Sequence, residues 1–228
     1  ASSHLAIVCL LIMNKRNFDL LLKEELKKIE GTTPSLLLHV CCGPCSSNVL
    51  KELCTHFNIT IYYSNSNIYP DTEYYRRYNE LCDFVERFNQ DNQTTIRVIE
   101  DPYKPLEYLN HLMPLKDEKE GGLRCKLCYN LRMAKAYDYA RKNNFDYWTT
   151  VLSVSPHKNS QWINEIGERK DQSQTKFLYA DFKKNDGYKK SVAEAAKYNL
   201  YRQNYCGCLY SYEDMLEREK RKTQEISL

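Results

Sequence analysis

The chain has 228 residues, of which 42% are hydrophobic and 28% are charged, and its formal net charge is +3 at pH 7. These values exclude a disordered or low-complexity chain and are typical of a globular protein that buries a sizeable core. The mild positive charge permits contact with nucleic acid but does not indicate it, because dedicated nucleic-acid binders usually show a stronger basic bias.

Near its start the chain has one apolar run, 5–12, which is far too short to span a membrane. It has neither a basic region before it nor a small-residue cleavage site after it, as a signal peptide would. The stretch that begins at Met13 looks like a natural start. We therefore expect residues 1–12 to be an upstream extension, residues 13–228 to form a single domain, and the protein to be cytoplasmic.

Short apolar runs of strand length alternate with segments of helical periodicity along the chain. The predicted strands are 36–40, 59–63, 95–99, 146–152 and 176–180. The predicted helices are 46–56 (capped by Ser46 or Ser47), 71–88, 124–142, a helix that starts at 155, 191–198 and the charged segment 213–222. This alternation predicts an α/β fold, a doubly wound parallel sheet flanked by helices.

Cysteines give the strongest functional signal, because seven of the ten lie in three tight clusters. The clustered residues are Cys41, Cys42 and Cys45, then Cys125 and Cys128, then Cys206 and Cys208. A core cysteine has no reason to seek neighbours of its own kind, whereas a metal site needs them. The other three (Cys9, Cys54 and Cys82) stand alone in apolar contexts and are predicted to be core residues.

Each cluster occupies a position that suits metal binding. Cys45 follows a predicted strand at the start of a helix, and Cys125 and Cys128 also start a helix, where the positive end of the dipole favours thiolates. Gly207 allows the sharp turn that points both of its cysteine neighbours inward. Because ligands bind at the carboxyl ends of parallel strands, we expect a metal site at the C-terminal edge of the sheet.

The number of thiols bears on which metal is bound. Seven thiolates are too many for one structural zinc ion and awkward for two. A [4Fe–4S] cluster takes up to four cysteines, which leaves three for a second metal or for redox chemistry. We therefore favour iron–sulfur chemistry, with zinc or a purely thiol-based redox site as the alternatives.

Other residues have both a functional and a structural interpretation. His39 is either a neighbour of the metal or, more often for such a residue, a hydrogen-bonded core histidine. Asp181 is either an iron ligand or proton donor, or a helix cap paired with the lysines that follow it. Segment 155–158 either holds an anion at a helix start or only caps the helix. Five of the nineteen tyrosines are candidates to stack on splayed bases: Tyr62, Tyr63, Tyr69, Tyr74 and Tyr75.

Together these motifs resemble the QueH family of epoxyqueuosine reductases. The resemblance covers about residues 14 to 211 and rests on six segments in order: His39-Val-Cys-Cys-Gly-Pro-Cys-Ser46, Asn67-Ile-Tyr-Pro-Asp-Thr-Glu-Tyr74, Arg124-Cys-Lys-Leu-Cys128, Thr149-Thr-Val-Leu-Ser-Val-Ser-Pro-His-Lys158, Asp181-Phe-Lys-Lys184 and Tyr201-Arg-Gln-Asn-Tyr-Cys-Gly-Cys208. It implies a fold of the nucleotide-alpha-hydrolase-like (HUP-type) class. It also implies a [4Fe–4S] cluster, an adjacent mononuclear iron and no cobalamin.

The activity implied by the resemblance is the last step of queuosine biosynthesis, in which the epoxide of epoxyqueuosine in a tRNA anticodon loop is reduced to the alkene. The expected metal ligands are the seven clustered cysteines together with Asp181. Asp181, Cys41 and Tyr201 are the expected catalytic residues, with Asp181 or a tyrosine protonating the departing oxygen. The expected partners are epoxyqueuosine-containing tRNA and an external electron donor of the ferredoxin or flavodoxin kind, with no membrane.

Two other function classes stay open on the sequence. One is a zinc-stabilised tRNA-binding module without redox chemistry. The other is a thiol-based sulfur carrier or tRNA thiolation enzyme, although the Cys-rich turn after the first strand is a poor ATP-binding loop.

Overall fold

A computed structural model of the chain describes residues 16–226. The eight helices in this range are α1 (Phe18–Lys28), α2 (Gly43–Leu53), α3 (Asp71–Asn92), α4 (Pro105–Leu112), α5 (Leu123–Lys142), α6 (Ser160–Glu168), α7 (Gly187–Lys197) and α8 (Leu209–Ile226). The strands are β1 (Ser35–His39), β2 (Asn58–Tyr63), β3 (Arg97–Glu100), β4 (Tyr147–Thr150) and β5 (Lys176–Phe177), and two 3-10 helices span Met113–Leu115 and Val151–Val154. The predicted extension, 1–12, and Cys9 lie outside the described residues.

The five strands form one parallel sheet in the order β3-β2-β1-β4-β5, which confirms the predicted α/β class. Strand β1 lies at the centre, where Leu36 pairs with Ile59 of β2 on one side and Tyr147 of β4 on the other. The chain runs outward from β1 in both directions, so the point where the strand order reverses lies between β1 and β4. In open α/β sheets ligands bind outside the carboxyl ends of the strands at this point.

Helices cover both faces of the sheet. Right-handed crossovers that run in opposite directions along the sheet place α2 and α5 on opposite faces. Helix α2 packs against α3 and α7, while α5 packs on β1 and β4 and contacts α6. The strand β1 between these layers is apolar throughout its centre, with Leu36, Leu37 and Leu38 fully buried. Within the described range no helix has the length and hydropathy that a membrane span requires.

Helix α2 begins earlier than predicted. Cys42 is the residue that precedes it, and Pro44 lies in its first turn, where the missing N–H of proline has no cost. Ser46 and Ser47 do not cap this helix, because both hydroxyls donate to backbone carbonyls one turn back. As a result Cys45 lies in the first turn, as expected.

The segment after β4 also differs from the prediction. The strand ends at Thr150, and α6 begins at Ser160 rather than at 155. Asn159 is the true cap, since its side chain accepts a hydrogen bond from the backbone N–H of Trp162. Segment 155–158 is therefore a loop and not a helix start. The sequence interpretation also missed α1 and α4. It predicted β5 to extend to residue 180, three residues beyond its end at Phe177.

Candidate metal centre

Three thiols converge where β1 leads into α2. The Sγ atoms of Cys41, Cys42 and Cys45 all lie within 4.8 Å of one another, and those of Cys41 and Cys42 are 3.8 Å apart. A tetrahedral ion with metal–sulfur distances of about 2.3 Å separates its sulfur ligands by about 3.8 Å. The spacing therefore suits a single metal ion. We refer to these three residues as the compact group.

In the compact group the pKa of one thiol is lowered and the pKa values of the other two are raised. Hydrogen bonds from Cys42 and Cys45 lower the pKa of the Cys41 thiol, and the positive charges of Lys158 and Arg132 lower it further. The same bonds keep the protons on the donors, so they raise the pKa of Cys42 to about 12 and raise that of Cys45 as well. Three thiolates can therefore coexist here only with a bound cation to compensate their charge.

The remaining four thiols form a wider group near the start of α5 and just before α8: Cys125, Cys128, Cys206 and Cys208. Their Sγ atoms do not all lie within 4.8 Å of one another. Among residues 16–224, only the compact group has three potential ligand atoms that close together. Burial raises the pKa of Cys125, Cys128 and Cys208, and the negative charge of neighbouring thiols adds to the effect. The wider group contains four thiols that affect one another electrostatically, and four is the number of cysteine ligands that a [4Fe–4S] cluster takes.

Hydrogen-bond donors approach the sulfurs of both groups. The backbone N–H of Gly121 donates to Cys125 Sγ at 3.2 Å, and the amide of Gln203 donates to Cys42 Sγ at 3.3 Å. The hydroxyl of Tyr108 lies 3.6 Å from Cys128 Sγ. Donors of this kind stabilise thiolates and tune the potential of a metal that they bind.

A cleft of about 550 Å³ opens over the thiols. Its lining includes a cysteine from every motif, namely Cys41, Cys45, Cys125 and Cys206. Cys42, Cys128 and Cys208 are not among its lining residues, and Cys42 is almost fully buried. The fold thus brings all three cysteine motifs to one cleft at the carboxyl end of β1.

The cleft also contains three buried or partly buried cations, of which the sequence interpretation missed Arg77 and Arg132. Arg132 and Arg77 are buried and Lys158 is partly buried, and all three line the cleft. Arg132 was detectable, because it follows Cys128 by four residues and Cys125 by seven, on the same face of α5. Arg77 had no such signal: it lies on α3, far in sequence from every cysteine motif, where its Nε donates to Glu73 at 2.7 Å.

Comparison with known proteins agrees with this arrangement. The family model "Epoxyqueuosine reductase QueH" matches residues 36–214, a range that contains all seven clustered cysteines. The chain belongs to the QueH family.

Curated relatives cover most of the chain. A protein of Streptococcus pyogenes serotype M1 named epoxyqueuosine reductase QueH is 42% identical over 200 residues, which are 86% of this chain and 78% of the relative. Proteins with the same name from Staphylococcus aureus and Thermotoga maritima are 39% and 32% identical, over 86% and 85% of this chain and 84% and 96% of their own.

His39 in this QueH-family chain is a hydrogen-bonded core residue. Its Nε2–H donates to the Ser64 carbonyl at 3.2 Å, and its Nδ1 accepts from the Thr150 hydroxyl at 2.7 Å. Burial and the nearby charge of Arg132 lower the pKa of His39 to about 3, so the ring is neutral. With both nitrogens engaged, the structural interpretation of this residue is the better one.

Asp181 and Tyr201 are not among the residues that line the cleft. The carboxylate of Asp181 lies 2.9 Å from Lys183 Nζ and accepts from the Ser160 hydroxyl at 3.0 Å. The ring of Tyr201 lies 3.4 Å below the guanidinium of Arg76. Their catalytic roles, and the role of Asp181 as a metal ligand, stay predictions.

The remaining candidate residues differ in how much of each side chain is exposed to solvent. Of the five tyrosines named for base stacking, Tyr62, Tyr63 and Tyr74 are buried, whereas Tyr69 and Tyr75 are exposed. Segment 155–158 lines the cleft as a loop. Cys54 and Cys82, predicted to be core residues, are both partly buried, and Cys54 packs against the core.

Proposed function

We propose that this chain reduces epoxyqueuosine in tRNA to queuosine. In this reaction both C–O bonds of the epoxide break, a C=C bond forms, and the oxygen leaves as water after uptake of two electrons and two protons. The observation that carries the proposal is that all three cysteine motifs contribute a thiol to one cleft in a chain of the QueH family. An external protein of the ferredoxin or flavodoxin kind would supply the electrons.

The donor set fits the metals that the resemblance implies. The wider group of four thiols would hold a [4Fe–4S] cluster, and the compact group of three would hold the adjacent iron. The 3.8 Å separation of Cys41 and Cys42 supports a single ion there. When bound, this centre supplies electrons and a Lewis acid for the epoxide oxygen. As the family resemblance implies, we propose that the reaction needs no cobalamin.

Side chains of the cleft suit a nucleoside that has left the anticodon stack. The Oδ1 atom of Asn67 and the Nη2 atom of Arg77 are buried without a hydrogen-bond partner among the described residues, and both side chains line the cleft. An acceptor and a donor of this kind complement the edge of a guanine-type base, which offers N–H donors and a carbonyl. Arg202 and Arg218 also line the cleft and would contact phosphates.

The fold supports the same proposal at a coarser level. The strand order β3-β2-β1-β4-β5 agrees with the doubly wound arrangement of the HUP-type class, to which we assign residues 13–228 as one domain. In that arrangement the turn after β1 holds the ligand. Here the turn contains Cys41 and Cys42.

The test is conversion of epoxyqueuosine-containing tRNA by protein reconstituted with iron and sulfide without oxygen, supplied with a chemical reductant and no cobalamin. Nucleoside mass spectrometry measures the queuosine formed. Cys125→Ser should lose both cluster absorbance and conversion, whereas Cys54→Ser, a substitution of a partly buried thiol outside the cleft, should retain both. Parental conversion by Cys125→Ser, or none by the parent protein, would contradict the proposal.

A further inference from the structure

Arg132 and Lys158, which we call the cation pair, act on both groups of thiols. The side chains with the strongest electrostatic effect on Arg132 include Cys128, Cys41 and Cys206. The side chains with the strongest electrostatic effect on Lys158 include Cys206, Cys41 and Cys45. Each cation therefore interacts electrostatically with at least one thiol of each group. Both cations interact in this way with Cys41 and Cys206. Both cations line the cleft together with Cys41 and Cys45 of the compact group and Cys125 and Cys206 of the wider group.

Within residues 16–224 no carboxylate forms an ion pair with Arg132 or Lys158. In the same cleft, by contrast, Arg77 pairs with Glu73 at 2.7 Å. Arg132 is 3% exposed, and its Nε has no hydrogen-bond partner among the described residues. A buried, unpaired guanidinium is costly, so the countercharge must come from the thiolates and what they bind.

Hydrogen bonds hold Arg132 and the loop of Lys158 in place. Arg132 Nη2 donates to the side-chain oxygen of Asn65, whose amide in turn donates to the carbonyl of Val40, directly before the compact group. The loop that carries Lys158 is braced because Lys183 Nζ donates to the carbonyl of Lys158 at 3.3 Å. Asp181 pairs with that same Lys183. Asp181 is thus linked through Lys183 to the loop that carries Lys158.

We propose that the cation pair neutralises the negative charge of the metal–thiolate centre and raises its reduction potential. This inference rests on the proposed function, since it requires iron at the thiols. A nearby positive charge favours the reduced, more negative state of the centre, and burial strengthens the effect because screening by water is weak. Removal of either charge therefore makes the centre harder to reduce.

The experiment measures iron content and midpoint potential of the reconstituted full chain by spectroelectrochemical titration. Arg132→Met and Lys158→Met should each lower the equilibrium constant for one-electron reduction at least tenfold, which corresponds to about 59 mV. Arg132→Lys keeps the charge and should stay close to the parent. Lys135→Met is the matched control, because it removes one charge from the same helix, where Lys135 pairs with Asp101 away from the cleft lining.

The outcomes separate this inference from the proposed function. Parental potentials in fully loaded Arg132→Met and Lys158→Met would overturn the role of the cation pair and leave the proposed function intact. A parent protein that binds no iron would overturn both. If Arg132→Met loses its iron while Arg132→Lys retains it, the need for a charge is supported. Loss of iron in both would overturn the charge role, because shape rather than charge would then decide binding.

Discussion

Gly207 separates two of the wider group's cysteines, and its replacement by alanine gives a sharp test of how the site is built. Its φ is +128°, a conformation that side chains rarely adopt, and an added Cβ would lie 2.8 Å from Arg77 Nη1. The backbone cannot rotate away freely, because the Gly207 carbonyl accepts from the Tyr69 N–H at 2.7 Å and its N–H donates to the Ser211 hydroxyl at 3.2 Å.

The magnitude follows from this geometry. A residue forced into such a backbone region costs about 1–3 kcal/mol. If segment 206–208 relieves the strain by moving, the arrangement that places both thiols at the site becomes about 5–150-fold less populated, since 1.4 kcal/mol is a factor of ten. We therefore expect Gly207→Ala to weaken iron binding by that factor and to lower the free energy of unfolding.

Gly31→Ala provides the control. Gly31 also has a positive φ, +80°, but a Cβ there meets nothing within 4 Å and the residue lies before β1, away from the cleft lining. Chemical denaturation should show a comparable loss of stability in both variants, and iron titration of the reconstituted proteins should show weaker binding in Gly207→Ala alone. Equal iron affinity in the two variants would refute the reasoning.

Three further predictions test the neighbourhood of the site. Because the pKa of His39 is lowered to about 3, the unfolded chain binds a proton there that the folded chain does not, so the free energy of unfolding should fall as pH decreases from 6.5 toward 3. In metal-free protein, chemical denaturation at a series of pH values should show a weaker fall in His39→Asn than in the parent. Equal dependence of the free energy of unfolding on pH in the two proteins would contradict this. Asp181→Asn and Lys183→Met should reduce turnover by a similar factor if Asp181 acts through Lys183, whereas a much larger loss in Asp181→Asn would identify it as the proton donor. Asn67→Leu should raise KM for the tRNA roughly tenfold with little change in kcat, because one hydrogen bond to the base is lost, and an unchanged KM would exclude that contact.

The local chemistry of the chain accounts for much of the fold and for the candidate thiols. The apolar run 36–40 and the Gly-Pro turn after it are enough to predict a buried strand followed by a helix, because both patterns act over a few residues. The positions of Cys45, Cys125 and Cys128 at helix starts follow from the same local rules. Errors at the helices that were predicted concern boundaries, as for α6, which begins at Ser160 rather than at Ser155.

Only the tertiary structure decides which side chains meet in the cleft. Arg77 belongs to α3, and no pattern in its own segment relates it to Cys206, yet its Nη1 donates to the carbonyl of that residue at 3.1 Å. The separation of seven thiols into a compact group of three and a wider group of four likewise depends on how α5 and the segment before α8 pack beside β1. The sequence around Asp181 suits a metal ligand, but in the folded protein its carboxylate forms an ion pair with Lys183.

The physical reason is the range of the interactions involved. Cysteine spacing, turns and helix starts are set by neighbours in the chain, so the sequence by itself determined that this protein presents thiols in three tight clusters near the ends of strands and helices. The presence of both groups and both cations in one cleft arises from contacts between segments far apart in the sequence, such as the hydrogen bond from Arg132 to Asn65. These contacts exist only once the parallel sheet has brought β1 and β4 together.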